Sequence, residues 1–436
     1  MNRIKHIRLV SMAWLLLAGA SCDDFLTFEN PDSKTVPGEY YTLAKEVEQA
    51  VVGIYVDFRR ALLSNHAWLM YGEARVGDLQ VDVDFYDEVL NQQLKAKHKS
   101  IQQVSDWAYF YDVIYDANEV LRLIEKADRG VLTSDQVHLF KGEALALKSM
   151  AYFYLARIWG DVPSAERHNF GQVISSDTAV ELALSFVTEA QSLLPWILMN
   201  TYGIESASLT AVRFNKTAAI LLAAQENLWL GNDGDAYALL KSAAEPEKAD
   251  SLSGFGLSTG EDRQLDGIPT IPLDKNVVSI PLDKLNAIYP EGDGRRDRMF
   301  SISEDDGRAT LIADDESVLE LFSTKNLYLL LAEAAWKHSG IDEAKGYMQA
   351  IAATEGATED YSALDESTFE EALLLERRRT LIGCGQRVFD LIRFNRVADE
   401  IPAFSETDVQ DGAAYWPLSQ ASIEDNSLSQ NSYWSN

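Results

Sequence analysis

The chain has 436 residues, 47% hydrophobic and 10% aromatic, enough to bury a large core as one big domain or two fused ones rather than remain disordered. A formal net charge of -30 argues against a role on nucleic acid, since phosphate binding needs a cationic face, and leaves neutral or cationic partners. Cys22 and Cys384 are the only cysteines, so there is neither a disulfide framework nor a Cys-built zinc site, and His6, His66, His98, His138, His168 and His338 include no pair four residues apart; no metal site and no cofactor is expected.

In chain order, Arg3, Lys5 and Arg8 precede the apolar run Met12 to Ala18, which is too short to span a bilayer and has the size of a secretory h-region. Gly19, Ala20 and Ser21 lead into Cys22, and the arrangement resembles a bacterial lipoprotein signal, with glycine at 19 where leucine is commoner. Residues 1–21 are therefore set aside from the fold, and Cys22 is the expected lipidation site. An ordinary cleavage site followed by an incidental cysteine is the other reading. Asp23 and Asp24 resemble the acidic export signals of surface lipoproteins in Bacteroidetes.

The remainder is dominated by apolar residues at helical spacing, which predicts an all-α body. Thr133 and Gln136 can form a capping box. It opens a helix whose stripe runs through Ala144, Leu147, Ala151, Tyr154 and Ile158, until Gly160, Asp161 and Pro163 stop it. Glu226, Trp229, Asp235 and Ala236 are echoed by Glu333, Trp336, Glu343 and Ala344, each copy reading helix, turn, helix. Small alanines there let two helices approach closely, the packing logic of tetratricopeptide-type repeats; a chance likeness between amphipathic helices is the alternative. Between the copies, Ser251 to Glu316 is rich in Gly, Pro, Asp and Ser and reads as a loop-rich, non-repeat insertion. Val277, Val278, Ile280, Leu282, Leu285, Ile288 and Tyr289 give it apolar surface to pack, and loops on a rigid frame favour binding residues.

Several segments, in order, resemble the SusD/RagB family of nutrient-binding lipoproteins, paired in Bacteroidetes with SusC-like outer-membrane transporters. Phe25 to Tyr55, with Asn30, Pro31 and the run Ala50 to Tyr55, is similar to the family's opening, and Trp107, Tyr111, Ile114 and Asn118 to its next helix. Ala144 to Pro163, ALALKSMAYFYLARIWGDVP, resembles its most recognisable helix and exit. Asp293 to Arg296 resemble an Asp-x-Arg-Arg element, and Leu327 to Ala344 a late repeat. Glu376, Arg377, Arg378, Gly385, Arg387, Asp390, Leu391 and Arg393 resemble a second signature in which ionic side chains lock helices together; Thr380 and Cys384 stand where glutamates are usual, which puts that charge network in doubt. Pro417, Ile423, Asn426, Leu428, Gln430, Asn431 and Tyr433 match the closing motif.

The resemblance implies one SusD-like domain over 22–436, with the insertion at about 251–316, anchored by lipid in the outer membrane and facing the exterior. It further implies capture of a glycan and delivery to a SusC-like TonB-dependent transporter, over which the protein sits as a lid. A peptide-binding RagB-like lid and a non-catalytic repeat scaffold are the alternatives. No Gly-x-Ser-x-Gly elbow or His-Glu-x-x-His helix is present, so an enzyme is not expected.

A sugar site needs exposed aromatics for apolar C–H faces and polar side chains for hydroxyls. Trp68, Tyr71, Glu73, Arg75 and Asp78 offer that mixture before a loop with Phe85, Tyr86, Asn91, Gln92 and Gln93, and the insertion adds Tyr289, Asp293 and Arg295. Trp68, Tyr71, Arg75, Asp78, Tyr86 and Tyr289 are the candidate ligand-binding residues; core aromatics of the first helices are the competing reading. Trp107, Trp159, Trp229 and Trp336 sit on apolar stripes and read as packing residues. Ser367 and Glu370 suggest a second capping box, Glu376 to Arg379 a salt-bridged helical face, and Cys384 a buried small hydrophobe.

Overall fold

The computed structural model describes residues 44–95, 97–127, 130–166, 169–200, 202–244, 255–258, 277–312, 318–426 and 428–435. The expected signal segment, Cys22 and the acidic pair after it lie outside the described residues, as do 251–254, 259–276 and 313–316 of the insertion.

Helix α1 (Ala44–Leu63) sets Val47, Val51, Ile54, Phe58 and Leu62 three or four apart and buries them all. After it come α2 (Ala108–Lys126), α3 (Ser134–Trp159), α4 (Ser176–Leu193), α5 (Lys216–Trp229), α6 (Asp233–Ala243), α7 (Thr324–His338), α8 (Ile341–Glu355) and α9 (Phe369–Thr380). Each packs on the next, α1 on α2 through α8 on α9, the neighbour-to-neighbour contact of a helix-repeat stack. The all-α, tetratricopeptide-like body predicted from the spacing is thus observed.

The central member is α3. Thr133 accepts from the Gln136 backbone, and Gln136 reciprocates on the Thr133 N–H, so the predicted capping box forms. From Glu143 nearly every residue is buried, because α1, α2, α4 and α5 surround it. In the echoed pairs, α5 turns into α6 and α7 into α8, with Glu226, Glu333, Ala236 and Ala344 fully buried. The second pair is tied to the first where the Tyr237 hydroxyl donates to Glu343 at 2.8 Å.

Strand β1 is Gln80–Val81, and among the described residues of the insertion β2 (Val278–Pro281) alternates buried Val278 and Ile280 with half-buried neighbours. It joins an antiparallel sheet ordered β1-β2-β4-β3, where β3 is Phe300–Ser303 and β4 Arg308–Leu311. Ser279 faces Gln80 on one side and Thr310 on the other, so the insertion is stitched to the loop that follows the first helices. Leu285, Ile288 and Tyr289 are buried as expected, while Val277 and Leu282 are half-buried against the same core.

An ionic clamp closes the fold. Arg295 is fully buried, donating to Asp293 at 2.7 Å, Glu376 at 2.5 Å and the Thr380 hydroxyl at 3.0 Å. Thr380 in turn donates to Glu376 at 3.0 Å, so a hydroxyl sustains the network despite the missing glutamate. Arg377 pairs with Asp390 at 2.8 Å, Arg378 with Asp78 at 2.7 Å and Arg379 with Glu359, making the predicted salt-bridged face. Gly385, at φ +70, lies against Gly72; a Cβ on Gly72 would meet the Gly385 carbonyl oxygen at 1.9 Å. The neighbouring Cys384 is half-buried beside the apolar cluster of α7 and α8.

One predicted cap is replaced. No box forms between Ser367 and Glu370; the helix starts at Phe369, and Thr368 makes no side-chain cap bond. The Asp365 carboxylate, one turn earlier, takes the Ser367 and Thr368 N–H groups at 2.9 and 3.2 Å, while Glu370 turns outward to Arg396.

Candidate ligand-binding cleft

The six candidate residues all lie inside the protein, each with an internal partner, which corrects their reading as an exposed binding surface. Trp68 is 3% exposed and donates its indole N–H to the Gly383 carbonyl at 3.2 Å. Tyr71 donates to the Val104 carbonyl at 2.6 Å, Tyr86 to that of Leu79 at 2.6 Å, and Tyr289 to that of Arg379 at 2.7 Å. Asp78 accepts from Arg378, and Arg75 grips the Ala413 and Ala414 carbonyls and the Gln92 amide. The mixture of aromatic and charged residues that reads as a glycan site serves instead to fasten distant segments: burial lowers the Arg75 pKa to about 9, and burial followed by the Asp78 carboxylate raises Glu73 to about 8.

An open cleft of about 570 Å³ lies next to these residues, where the exit of α3 meets the C-terminal segment. That volume is in the range of small-ligand sites. The Trp416 backbone N–H donates to the Ile158 carbonyl at 2.7 Å and fixes the segment to the end of the helix. Gly160 leaves the helix at φ +78, and a Cβ there would sit 3.2 Å from the Tyr415 ring, so glycine both makes the turn and admits the ring.

Trp107, Trp159 and Trp416, 1%, 4% and 3% exposed, form the buried floor of the cleft, Trp107 and Trp159 being the packing residues their helical stripes predict. Trp107 and Trp159 meet edge to face with centroids 6.3 Å apart, and Tyr71 braces Trp159 and Trp416 from behind at 5.8 and 5.4 Å. The indole N–H groups of Trp159 and Trp416 are buried without a hydrogen-bond partner among the described residues. Each is a donor whose desolvation, about 1–3 kcal/mol, is uncompensated. Half-buried Tyr415 adds a ring whose hydroxyl is pushed above its usual pKa by burial.

The rim is polar and exposed, with Asp161, Gln410, Asp411 and Ser429. Gln430 and Asn431 also line the cleft but are committed to the chain. Gln430 brackets Leu418 at 2.9 and 2.8 Å; Asn431 donates to Gly412 and accepts from the Trp434 N–H, both at 3.0 Å. A second groove of about 440 Å³ shares Leu418, Leu428, Ser429 and Gln430, and its far wall is Leu94, Lys95, Gln102 and Ser105. The stretch from Leu79 to Ser105 therefore reaches a groove, through residues other than those singled out. None of the insertion's described residues lines either space.

The C-terminal contribution, from Gln410 to Ser432, was missed because the cleft joins segments some 250 positions apart. Adjacent Tyr415 and Trp416, inside a stretch rich in Gln, Asn and Ser, are the signal that could have found it. Aromatic faces beside a rim of carboxylate, amide and hydroxyl groups can hold a sugar or another ring-bearing polar ligand without chemistry on it.

Comparison with known proteins places this architecture. A family profile described as "Starch-binding associating with outer membrane" matches residues 24–226, and one described as "SusD family" matches 324–434. A "SusD-like protein" of Bacteroides ovatus is 26% identical over 163 residues, 36% of this chain and 28% of that protein. The matches cover less than half the length of the curated relatives. Among solved structures, a SusD superfamily protein from Bacteroides thetaiotaomicron superposes with TM-score 0.76 at 22% identity, over 91% of this chain and 99% of that one. Surface glycan-binding protein A from the same organism does so with TM-score 0.69 at 16% identity, over 90% of this chain and 100% of that one. Two profiles that take up both ends of the chain, together with a shared helix-repeat fold, show that the chain belongs to the SusD/RagB family.

Proposed function

We propose that this protein is a non-catalytic, lipid-anchored surface receptor that holds an oligosaccharide in the cleft between Gly160 and Ser432 and passes it to a SusC-like outer-membrane transporter. The observation that carries the reading is the cleft itself. The half-buried Tyr415 ring, over a floor of edge-to-face tryptophans, meets a rim of Asp161, Gln410, Asp411 and Ser429, and two buried indole donors lack partners among the described residues. A family described as starch-binding, and a fold neighbour named for glycan binding, support sugar over other ring-bearing ligands. Among the described residues no helix is long and apolar enough to cross a membrane, so in this reading attachment rests on Cys22.

Affinity electrophoresis of the chain from Asp23 onward, against a panel of plant, microbial and host polysaccharides, tests it. One polysaccharide should retard the wild type, Tyr415→Ala should lose at least about tenfold in affinity, matching about 1.4 kcal/mol for a stacked ring, and the sugar should be recovered uncleaved. Retardation that survives in both Tyr415→Ala and Asp411→Ala would move the site elsewhere, and retardation by peptides alone would replace the sugar.

A further inference from the structure

Of the five large hydrophobic side chains exposed among the described residues, three share one turn: Met199, Tyr202 and Ile204, at 54%, 86% and 62% exposure. Single exposed apolar residues are ordinary, whereas a cluster marks a contact surface. The turn holds them outward. Met199 bridges Glu205 across it, the Asn200 N–H donates to the Ile204 carbonyl at 2.8 Å, and the Asn200 side-chain oxygen accepts from the Tyr202 and Ile204 N–H groups at 2.9 and 3.1 Å. Gly203, at φ +72, makes the reversal.

The chemistry of this surface does not suit a charged partner. From Ala190 to Val212 the only charged residue is Glu205, in a chain that is 24% charged. At the base of the turn half-buried Trp196 lies beside Lys216, whose ammonium is 5.4 Å from the ring centre. Tyr and Trp next to bare aliphatic groups, with a lysine stem laid along them, is the composition favoured at a lipid–water boundary.

Its place in the fold points to the same occupant. Leu194, just before the turn, packs on Gly142, where a Cβ would meet its side chain at 2.8 Å, and Arg213, just after it, donates to Glu143 at 2.7 Å. Both contacts fix the turn at the start of α3, about 27 Å along that helix from Gly160 and the cleft, at 1.5 Å per residue. Helix α1 runs parallel to α3: Glu48 near its start accepts from Arg213 at 2.8 Å, and Phe58 near its end meets Tyr154 with ring centroids 5.6 Å apart. The described chain therefore begins, at Ala44, on the same end of the molecule as the turn, and residues 23–43 join it to Cys22. That stretch spans at most about 75 Å, so a lipid on Cys22 tethers this end without itself setting the orientation.

We propose that Met199, Tyr202 and Ile204 form a membrane-contact tip, which enters the boundary of headgroups and acyl chains of the outer leaflet and holds the cleft facing away from it. The tip rests on the surface attachment proposed above and not on the nature of the ligand.

The test attaches the full chain from Asp23, through an N-terminal His tag, to nickel-chelating lipid in phosphatidylcholine vesicles, so it needs neither a lipidated Cys22 nor sugar binding. An environment-sensitive fluorophore on Tyr202→Cys, in a Cys384→Ser background, should shift to the blue on the vesicles and be quenched by spin-labelled lipid. The same fluorophore on Asp411→Cys, at the cleft rim, should do neither. In the untagged chain, Met199→Ser combined with Ile204→Ser should keep the melting temperature and lower partitioning onto phosphatidylcholine at least about tenfold, the loss expected for two apolar side chains. A fluorophore at 202 that vesicles leave unchanged, or that is quenched no more than the one at 411, would overturn the tip. A spectral shift that follows protein concentration without vesicles would also overturn it, and would give the surface to a second copy of the chain.

Discussion

Arg295 shows how one side chain can join an insertion to its frame. It sits in the short helix Gly294–Met299, yet its three hydrogen-bond partners belong to two different elements: Asp293 caps that helix, while Glu376 and Thr380 lie a turn apart on α9. The arginine pulls the Asp293 carboxyl below its usual range, overcoming burial that would raise it. Replacing Arg295 with methionine strands two buried carboxylates and removes five donors. Loss of one partner from such a cluster costs about 3–5 kcal/mol. The expected result is a large drop in the urea midpoint, with little change in the far-ultraviolet helix signal of the protein that remains folded. A loss below about 1 kcal/mol would show that Asp293 and Glu376 simply take up protons. Thr380→Val should cost only about 1 kcal/mol, since the charged bonds persist.

At the scale of the element, helices were legible because their cause is local. The capping box at Thr133, the stripe from Ala144 to Ile158 and the stop at Gly160 are all set within a few residues, and all appear. The echo of Glu226 in Glu333 was legible for the same reason. The Ser367 box failed because the Asp365 carboxylate takes both the Ser367 N–H that Glu370 would have accepted and the Ser367 hydroxyl. The site failed for a different reason: Trp68, Tyr71, Arg75 and Asp78 have the right chemistry, but burial is decided by segments hundreds of positions away, Gly383, Ala414 and Arg378 among them. Gly385 is the hinge of that long-range contact. A methyl group there would press on the Trp68 carbonyl at 2.6 Å, in a backbone conformation that side chains disfavour. Gly385→Ala is therefore expected to lower stability by about 2 kcal/mol or more in denaturant melts, whereas Gly346→Ala on α8, where a Cβ meets nothing within 4 Å, should raise it by up to about 1 kcal/mol.

On the scale of the whole molecule, the excess of acids is not confined to the surface. Along the seam of α1 and α2, half-buried Asp57 faces exposed Asp116 closely enough to share a hydrogen bond, with exposed Asp112 beside them and Arg60, 3.5 Å from Asp57, as counter-charge. Burial, followed by the bond to Asp116, lifts Asp57 to about 7, and burial lifts Glu73 to about 8. Both folded values exceed the unfolded ones near 4, so the folded state binds more protons, and this contribution is full below about pH 4 and lost as pH rises to 7–8. Glu333 and Asp390 are held low by Arg393 and Arg377, so their contribution is present above pH 4 and disappears only below it. The two sets together place maximum stability near pH 4–5, with a decline towards pH 8. Asp57→Asn, which keeps a donor for Asp116 at every pH, should flatten that decline. At pH 8 it should raise stability by about 1 kcal/mol, a small value because Asp57 is only half-buried and Asp116 is exposed to solvent. Melting temperatures of both proteins at half-unit steps from pH 4 to 8 check this: a wild type that gains stability steadily towards pH 8 would mean that the seam is ionised and that Arg60 suffices to hold it.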